Sequence, residues 1–207
     1  MTSEVDQAQL LQLQISGYCV LEEVIPSGRC AAIREQVSTA VEQQRGAYPD
    51  APQNVGFTPS LVNHDRSFVE YLADPRLMAL LQVLLGEHPR ISFTSAIINE
   101  PGNERGKWHA DWPFNQNNAG RIRAPYPDVV MHVTTLWMLS PFRFENGGTL
   151  VLPGSHRCTT NPTADDGPDP CERFPGETNA EGDAGSVLVM DSRLWHATAP
   201  TATHRGG

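Results

Sequence analysis

His109 and Asp111 stand two positions apart in the run Trp108-His109-Ala110-Asp111-Trp112. Side chains alternate along an extended chain, so the two project from one face. An imidazole nitrogen and a carboxylate oxygen meeting at one point are two of the donors a divalent metal takes. A third stands far along the chain. The apolar run Val187-Leu188-Val189-Met190 passes through Asp191-Ser192-Arg193 into Leu194-Trp195-His196, which places His196 in a second short extended run. Two imidazoles and one carboxylate on one face of an octahedral ion leave the opposite face open, a donor set suited to iron-dependent oxidation. The other reading of the His-x-Asp pair is two polar residues in a surface loop, and the rest of the chain bears on the choice.

The elements that would position these residues come in two groups. Residues 4–16 carry Val5, Leu10, Leu11, Leu13 and Ile15 among polar residues, a short helix ended near Gly17. Tyr18-Cys19-Val20-Leu21 reads as a strand, and Pro26-Ser27 opens a helix with Ile33, Val37, Ala40 and Val41 at helical spacing, stopping by Gly46. Residues 47–59, with three prolines and Gly56, read as loop. Asp74-Pro75 is an N-cap with proline at the first helical position, and Leu77, Leu80, Leu81, Leu84 and Leu85 form an apolar face closed by Gly86. From Ile91 the character changes. Residues 91–99, 129–139, 149–152 and 186–190 are rich in β-formers and read as strands between Gly/Pro-rich turns. Helices followed by short strands predict a mainly β, α+β fold: a jelly roll with the N-terminal helices on one sheet. The expected organisation is a single domain over 1–207, helical to about residue 90 and jelly roll from 91 onward.

Two stretches are long and polar for simple connections, 113–128 and 157–182. The first leaves directly from the candidate ligands and reads as a lid; the second reads as a mobile surface excursion. Charge and composition exclude other classes. Fifteen basic against twenty-four acidic residues give −9 with no basic cluster, which argues against nucleic acid and anionic membrane. No apolar run reaches membrane-spanning length and the start lacks a signal-peptide pattern, so the expected compartment is the cytoplasm. Cys19, Cys30, Cys158 and Cys171 form no C-x-x-C pair and read as reduced structural thiols. His132 reads as a satisfied core histidine and His156 as structural, while Trp137 reads as core; Trp108 and Trp112 either pack or shield the metal from water.

Beyond the ligands, the block Glu145-Asn146-Gly147-Gly148-Thr149-Leu150-Val151-Leu152-Pro153-Gly154-Ser155-His156 lies between His109-Ala110-Asp111 and the run from Gly185 to Trp195-His196. Together these resemble the phytanoyl-CoA dioxygenase family of Fe(II)- and 2-oxoglutarate-dependent oxygenases, from about Gly17 onward. The resemblance implies a double-stranded β-helix with Fe(II) held by His109, Asp111 and His196. It also implies 2-oxoglutarate as cosubstrate, O2 as oxidant, and succinate and CO2 as by-products of hydroxylation. It makes Arg205 the anchor of the far 2-oxoglutarate carboxylate, where a planar guanidinium suits bidentate binding, with a merely exposed C-terminal arginine as the other reading. Thr149 and Thr198 become further cosubstrate contacts or ordinary strand threonines. The sequence departs from the family where Thr201 stands near a usual asparagine and where it ends, at Gly207, before the relatives' further strand. Related halogenases lack the carboxylate, so Asp111 favours hydroxylation.

The expected substrate is a small metabolite rather than an acyl-CoA, since no basic tract is present. Phe114, Asn115, Gln116, Asn117, Arg121, Arg123 and Tyr126 line the expected lid, and Arg121, Arg123 and Lys107 could receive an anionic group. Two other readings stand beside this one. The first is a non-catalytic jelly-roll binding protein. The second is a cupin-like metalloenzyme that does not use 2-oxoglutarate.

Overall fold

The computed structural model describes residues 5–48, 53–113, 125–164 and 167–201. Three antiparallel sheets carry it. Strands β1 (Tyr18–Leu21), β7 (Val187–Asp191) and β4 (Val133–Trp137) form one, in the order β1-β7-β4. Strands β6 (Thr178–Asn179), β5 (Thr149–Val151) and β8 (His196–Thr198) form a second, and β2 (Val55–Pro59) with β3 (Ser95–Asn99) a third. The first two sheets face each other across Met138, Val151, Leu188, Met190 and Leu194. That layer is the inside of the jelly roll.

The continuous apolar run of β7 is explained by burial on both faces. Leu188 and Met190 point into the roll. Val187 and Val189 point outward against Leu13 of helix α1 (Gln7–Ser16) and Leu77 and Leu80 of helix α3 (Pro75–Leu85). The helices thus cover one sheet, as the sequence predicts. Both keep their expected ends: Gly17 closes α1 at φ 86°, and the Asp74 carboxylate accepts from the N–H groups of Arg76 and Leu77. Helix α2 (Ser27–Gln43) packs Ile33, Val37, Ala40 and Val41 over Ala96 of β3.

The strands differ from the sequence reading in three places. Residues 47–59 are not all loop, because Val55–Pro59 pairs with Ser95–Asn99. Gly56 conceals that strand from propensity, yet its place requires glycine: a Cβ there would lie 2.8 Å from Val41 Cγ1. The run 129–139 forms ladder only over Val133–Trp137, because Val133 already pairs with Asp191, the last residue of β7. Val129 and Met131 are left exposed, with no partner strand among the described residues. Similarly, 91–94 runs past the end of β2, whose Pro59 pairs with Ser95. The N-terminal part also lends β1 and β2 to the sheets.

The stretch 157–182 packs closely where it is described. Phe174 sits between Trp108 and Trp195, with ring centroids 5.8 and 5.6 Å away. Glu177 takes both Arg105 guanidinium nitrogens at 3.0 and 2.7 Å, and Thr178–Asn179 pairs with β5. The expectation of a mobile surface excursion is corrected there: aromatic cover and a two-bonded ion pair hold it to the roll. No helix among the described residues is long and apolar enough to cross a membrane.

Candidate metal centre

The alternation inferred for the His-x-Asp run is present. Trp108 and Ala110 join the outer cluster with Leu150, Trp195 and Ala197, while His109 and Asp111 turn the other way. Strand β8 repeats the pattern: Trp195 and Ala197 face outward, so His196 and Thr198 face inward. The two runs lie side by side, with His109 and His196 forming a β-bridge. His109 Nε2 lies 3.8 Å from one Asp111 oxygen and His196 Nε2 3.6 Å from the other. Among the described residues, one ligand atom from each of the three falls within 4.8 Å of the others.

The donor set fits a divalent ion in more than spacing. His109 Nδ1 lies 3.0 Å from the Lys107 carbonyl, and His196 Nδ1 2.9 Å from that of Leu194. A carbonyl only accepts, so each Nδ1 carries the proton and each Nε2 presents its lone pair to the shared point. Burial pushes the His196 imidazole down to about 4, with neighbouring His109 adding to the effect and Asp111 opposing it. The ring is therefore neutral near pH 7, the form that binds metal. Asp111 is fixed in turn by Thr134, whose hydroxyl donates to Oδ2 at 2.7 Å. The site opens to solvent on the side of His109, whose side chain is 44% exposed.

Thr149 and Thr198 are directly paired across β5 and β8, as are Val151 and His196. Paired residues share a face, and Val151 lies in the inner core, so both threonines line the same inner wall as His196. Arg205 lies outside the described residues. So do Phe114, Asn115, Gln116, Asn117, Arg121 and Arg123, and with them most of the expected lid. Its described end is held: Tyr126 packs edge-on against Trp112 at 6.0 Å, and Arg193 bonds the Pro127 carbonyl at 2.7 Å. Lys107 is exposed beside the candidate ligands.

Trp108 packs on the outer face, fully buried, with its indole N–H on the Glu172 carbonyl; it does not shield the metal point. His156 is structural, buried beside Gly17 and close to the Gln14 carbonyl. His132 precedes β4 rather than lying on it, and is satisfied by Ser92 and Ser192. Sequence reasoning missed Thr134 and Ser192. A signal for Thr134 exists, since His132, Thr134 and Leu136 alternate with outward residues in an otherwise apolar run. Ser192 in the Asp-Ser-Arg turn gave none.

Residues 13–206 match the phytanoyl-CoA dioxygenase family. The dioxygenase af480 of Aspergillus fumigatus is 34% identical over 140 residues, 67% of this chain and 41% of that protein. The chain thus spans well under half of that curated relative's length. Among solved structures, HygX of Streptomyces hygroscopicus, seen with nickel, 2-oxoglutarate and hygromycin B, superposes with a TM-score of 0.68 at 20% identity, covering 96% of this chain and 83% of HygX. The 2-oxoglutarate-dependent carbocyclase SnoK of nogalamycin biosynthesis gives 0.71 at 15% identity, covering 96% and 79%. At such identities these likenesses carry the fold alone: a jelly-roll architecture.

Proposed function

The chain belongs to the phytanoyl-CoA dioxygenase family, and from that premise we propose that it is an Fe(II)- and 2-oxoglutarate-dependent oxygenase. In this reading it hydroxylates a small molecule and releases succinate and CO2. The observation that supports it most is the meeting of His109, Asp111 and His196 at one point, with both imidazole Nε2 lone pairs turned inward. Bound iron with 2-oxoglutarate would supply a two-electron oxidation of the substrate at the expense of O2 and the oxo acid.

The chain's own residues do the rest. His109 and His196 hold the metal as neutral donors, and Asp111 contributes the single negative charge that leaves a net cation to receive an anionic oxo acid. Thr149 and Thr198 offer hydroxyls from the inner wall, on the side of His196, to a cosubstrate carboxylate. Arg205 is proposed as the bidentate partner of its far carboxylate. The buried wall around His196 excludes water on that side, while the exposed edge of His109 is where substrate approaches. HygX, which was solved with hygromycin B, and SnoK, a carbocyclase of nogalamycin biosynthesis, support the reading of a small-molecule substrate rather than an acyl-CoA.

Anaerobic addition of Fe(II) and then 2-oxoglutarate tests this reading. A weak visible metal-to-ligand charge-transfer band should appear, and a screen of small metabolites should find one that stimulates succinate release. A protein that binds iron without the band is a metalloprotein of another kind. One that binds neither is a binding module.

A further inference from the structure

The Asp111 carboxylate is the inner end of a line of four hydrogen bonds that runs out to the surface. Thr134 Oγ1 lies 2.7 Å from Asp111 Oδ2, and Ser192 Oγ 2.7 Å from Thr134 Oγ1. His132 Nδ1 lies 2.6 Å from Ser192 Oγ, and Ser92 Oγ 3.0 Å from His132 Nε2. Ser192 is fully buried, His132 and Thr134 are partly buried, and Ser92 is exposed. Four separate segments meet here: the His-x-Asp run, the approach to β4, the turn after β7 and the stretch before β3.

The direction of every bond follows from counting protons. A metal-ligating carboxylate only accepts, and a hydroxyl has one proton to give. Thr134 gives its proton to Asp111, so the contact between Thr134 and Ser192 is donated by Ser192. Ser192 has then no proton left for His132, and His132 must donate from Nδ1. Burial holds His132 below its ordinary value, against the opposite pull of Asp111 and Asp191. The neutral ring has its one proton on Nδ1, and its Nε2 accepts from the Ser92 hydroxyl. All four donors thus point inward, a sequence in which each bond polarises the next. The other tautomer would reverse the line. Nδ1 would accept from Ser192, Thr134 would have to donate to Ser192, and Asp111 would lose its hydrogen bond.

We propose that Ser92, His132, Ser192 and Thr134 form a positioning relay in which the tautomer of His132, read through two hydroxyls, fixes the Asp111 carboxylate for metal binding. The proposal rests on the reading of His109, Asp111 and His196 as the metal ligands. None of the four relay residues gives an atom to the metal. Their work is to hold the carboxylate's rotation and to draw charge from the oxygen that Thr134 touches.

Two measurements test it. Calorimetric titration with Co(II), together with the visible d–d spectrum of the bound ion, reads the carboxylate directly. Thr134→Val keeps the shape and removes the hydroxyl; it should weaken Co(II) binding about 10- to 100-fold and alter the spectrum. Thr134→Ser should restore both, and Ser192→Ala should have a smaller effect because Thr134 can still donate. Thr134→Val that binds Co(II) within twofold of wild type, with an unchanged spectrum, overturns the relay alone. Wild type that binds no Co(II) overturns the metal centre and the relay with it. The second measurement needs no metal and reads the wild-type protein: 15N spectra of the histidine-labelled protein, with His132 assigned by comparison with His132→Gln. They should show the proton on Nδ1; a proton on Nε2 overturns the relay.

Discussion

His109 and His196 exchange both of their backbone hydrogen bonds, N–H of 109 to O of 196 at 3.1 Å and N–H of 196 to O of 109 at 2.9 Å. Two histidines remote in sequence are thereby held by main chain, before either imidazole takes part. The ring centroids stand only 4.2 Å apart.

The candidate ligands should accordingly be removable without unfolding the site. His109→Ala and Asp111→Ala should bring 2-oxoglutarate-dependent succinate release to background. The melting temperature should stay within about 4 °C of wild type, equivalent to roughly 1 kcal/mol at this size. Succinate production retained in either variant would refute their role as ligands.

Gly17 should be among the least replaceable residues away from the metal. It ends α1 at φ 86°, and a Cβ there would lie 2.6 Å from His156 Nδ1 and 2.8 Å from Leu194 Cδ1. Leu194 leads directly into Trp195-His196, and its N–H is bonded to Asp191 O. Gly17→Ala combines left-handed backbone strain of about 1–2 kcal/mol with displacement of buried neighbours, for a total of roughly 2–4 kcal/mol. Urea denaturation measures this; a cost under about 1 kcal/mol would mean the turn relaxes freely.

The parts of this molecule legible in its sequence are those fixed by local chemistry. Asp74-Pro75 and Gly86 mark α3 because capping is decided within a few residues. The His-x-Asp alternation likewise needs only an extended backbone. Strand ends were not legible, since they depend on a partner elsewhere: 129–132 has strand composition but lies beyond the end of β7. Nor was β2, whose Gly56 answers to the packing of Val41 rather than to strand propensity. Ser192 belongs to the relay only through the folded contact with residues 132 and 134.

The clasp over the outer aromatic cluster should respond to acid. Arg105 holds the Glu177 carboxyl below its ordinary value, chiefly through their hydrogen bonds and against the opposing effect of burial. A carboxylate whose folded value is lowered binds fewer protons folded than unfolded. Its stabilisation is therefore present above the ordinary value and is lost as pH falls through the folded one. Wild type should accordingly exceed Glu177→Gln in stability at pH 6, and the gap should close as pH falls from about 5 to about 3. Urea midpoints across that range decide it. A gap independent of pH would show that Glu177 acts by shape and not by charge. Because the same carboxylate accepts from Phe174 N–H, Glu177→Gln should also speed proteolytic cutting near Phe174.

Arg193 and Asp191 form a buried ion pair on either side of Ser192, each almost wholly covered. The guanidinium reaches Asp191 through Nε at 3.1 Å and through a terminal nitrogen at 2.7 Å, and takes the Pro127 carbonyl with the other. One cation thus ties the turn that leads to His196 to the segment returning toward β4. Desolvating both charges is costly, so the pair's net contribution to stability is small, whereas removal of one partner strands the other charge. Arg193→Ala should therefore cost about 3–5 kcal/mol, and Asp191→Leu combined with Arg193→Met should cost less than that single change. Urea unfolding of the two variants separates the cases. A double variant less stable than Arg193→Ala would mean that the turn depends on the hydrogen bonds to Pro127 and Asp191 themselves, and not merely on leaving no charge unpaired.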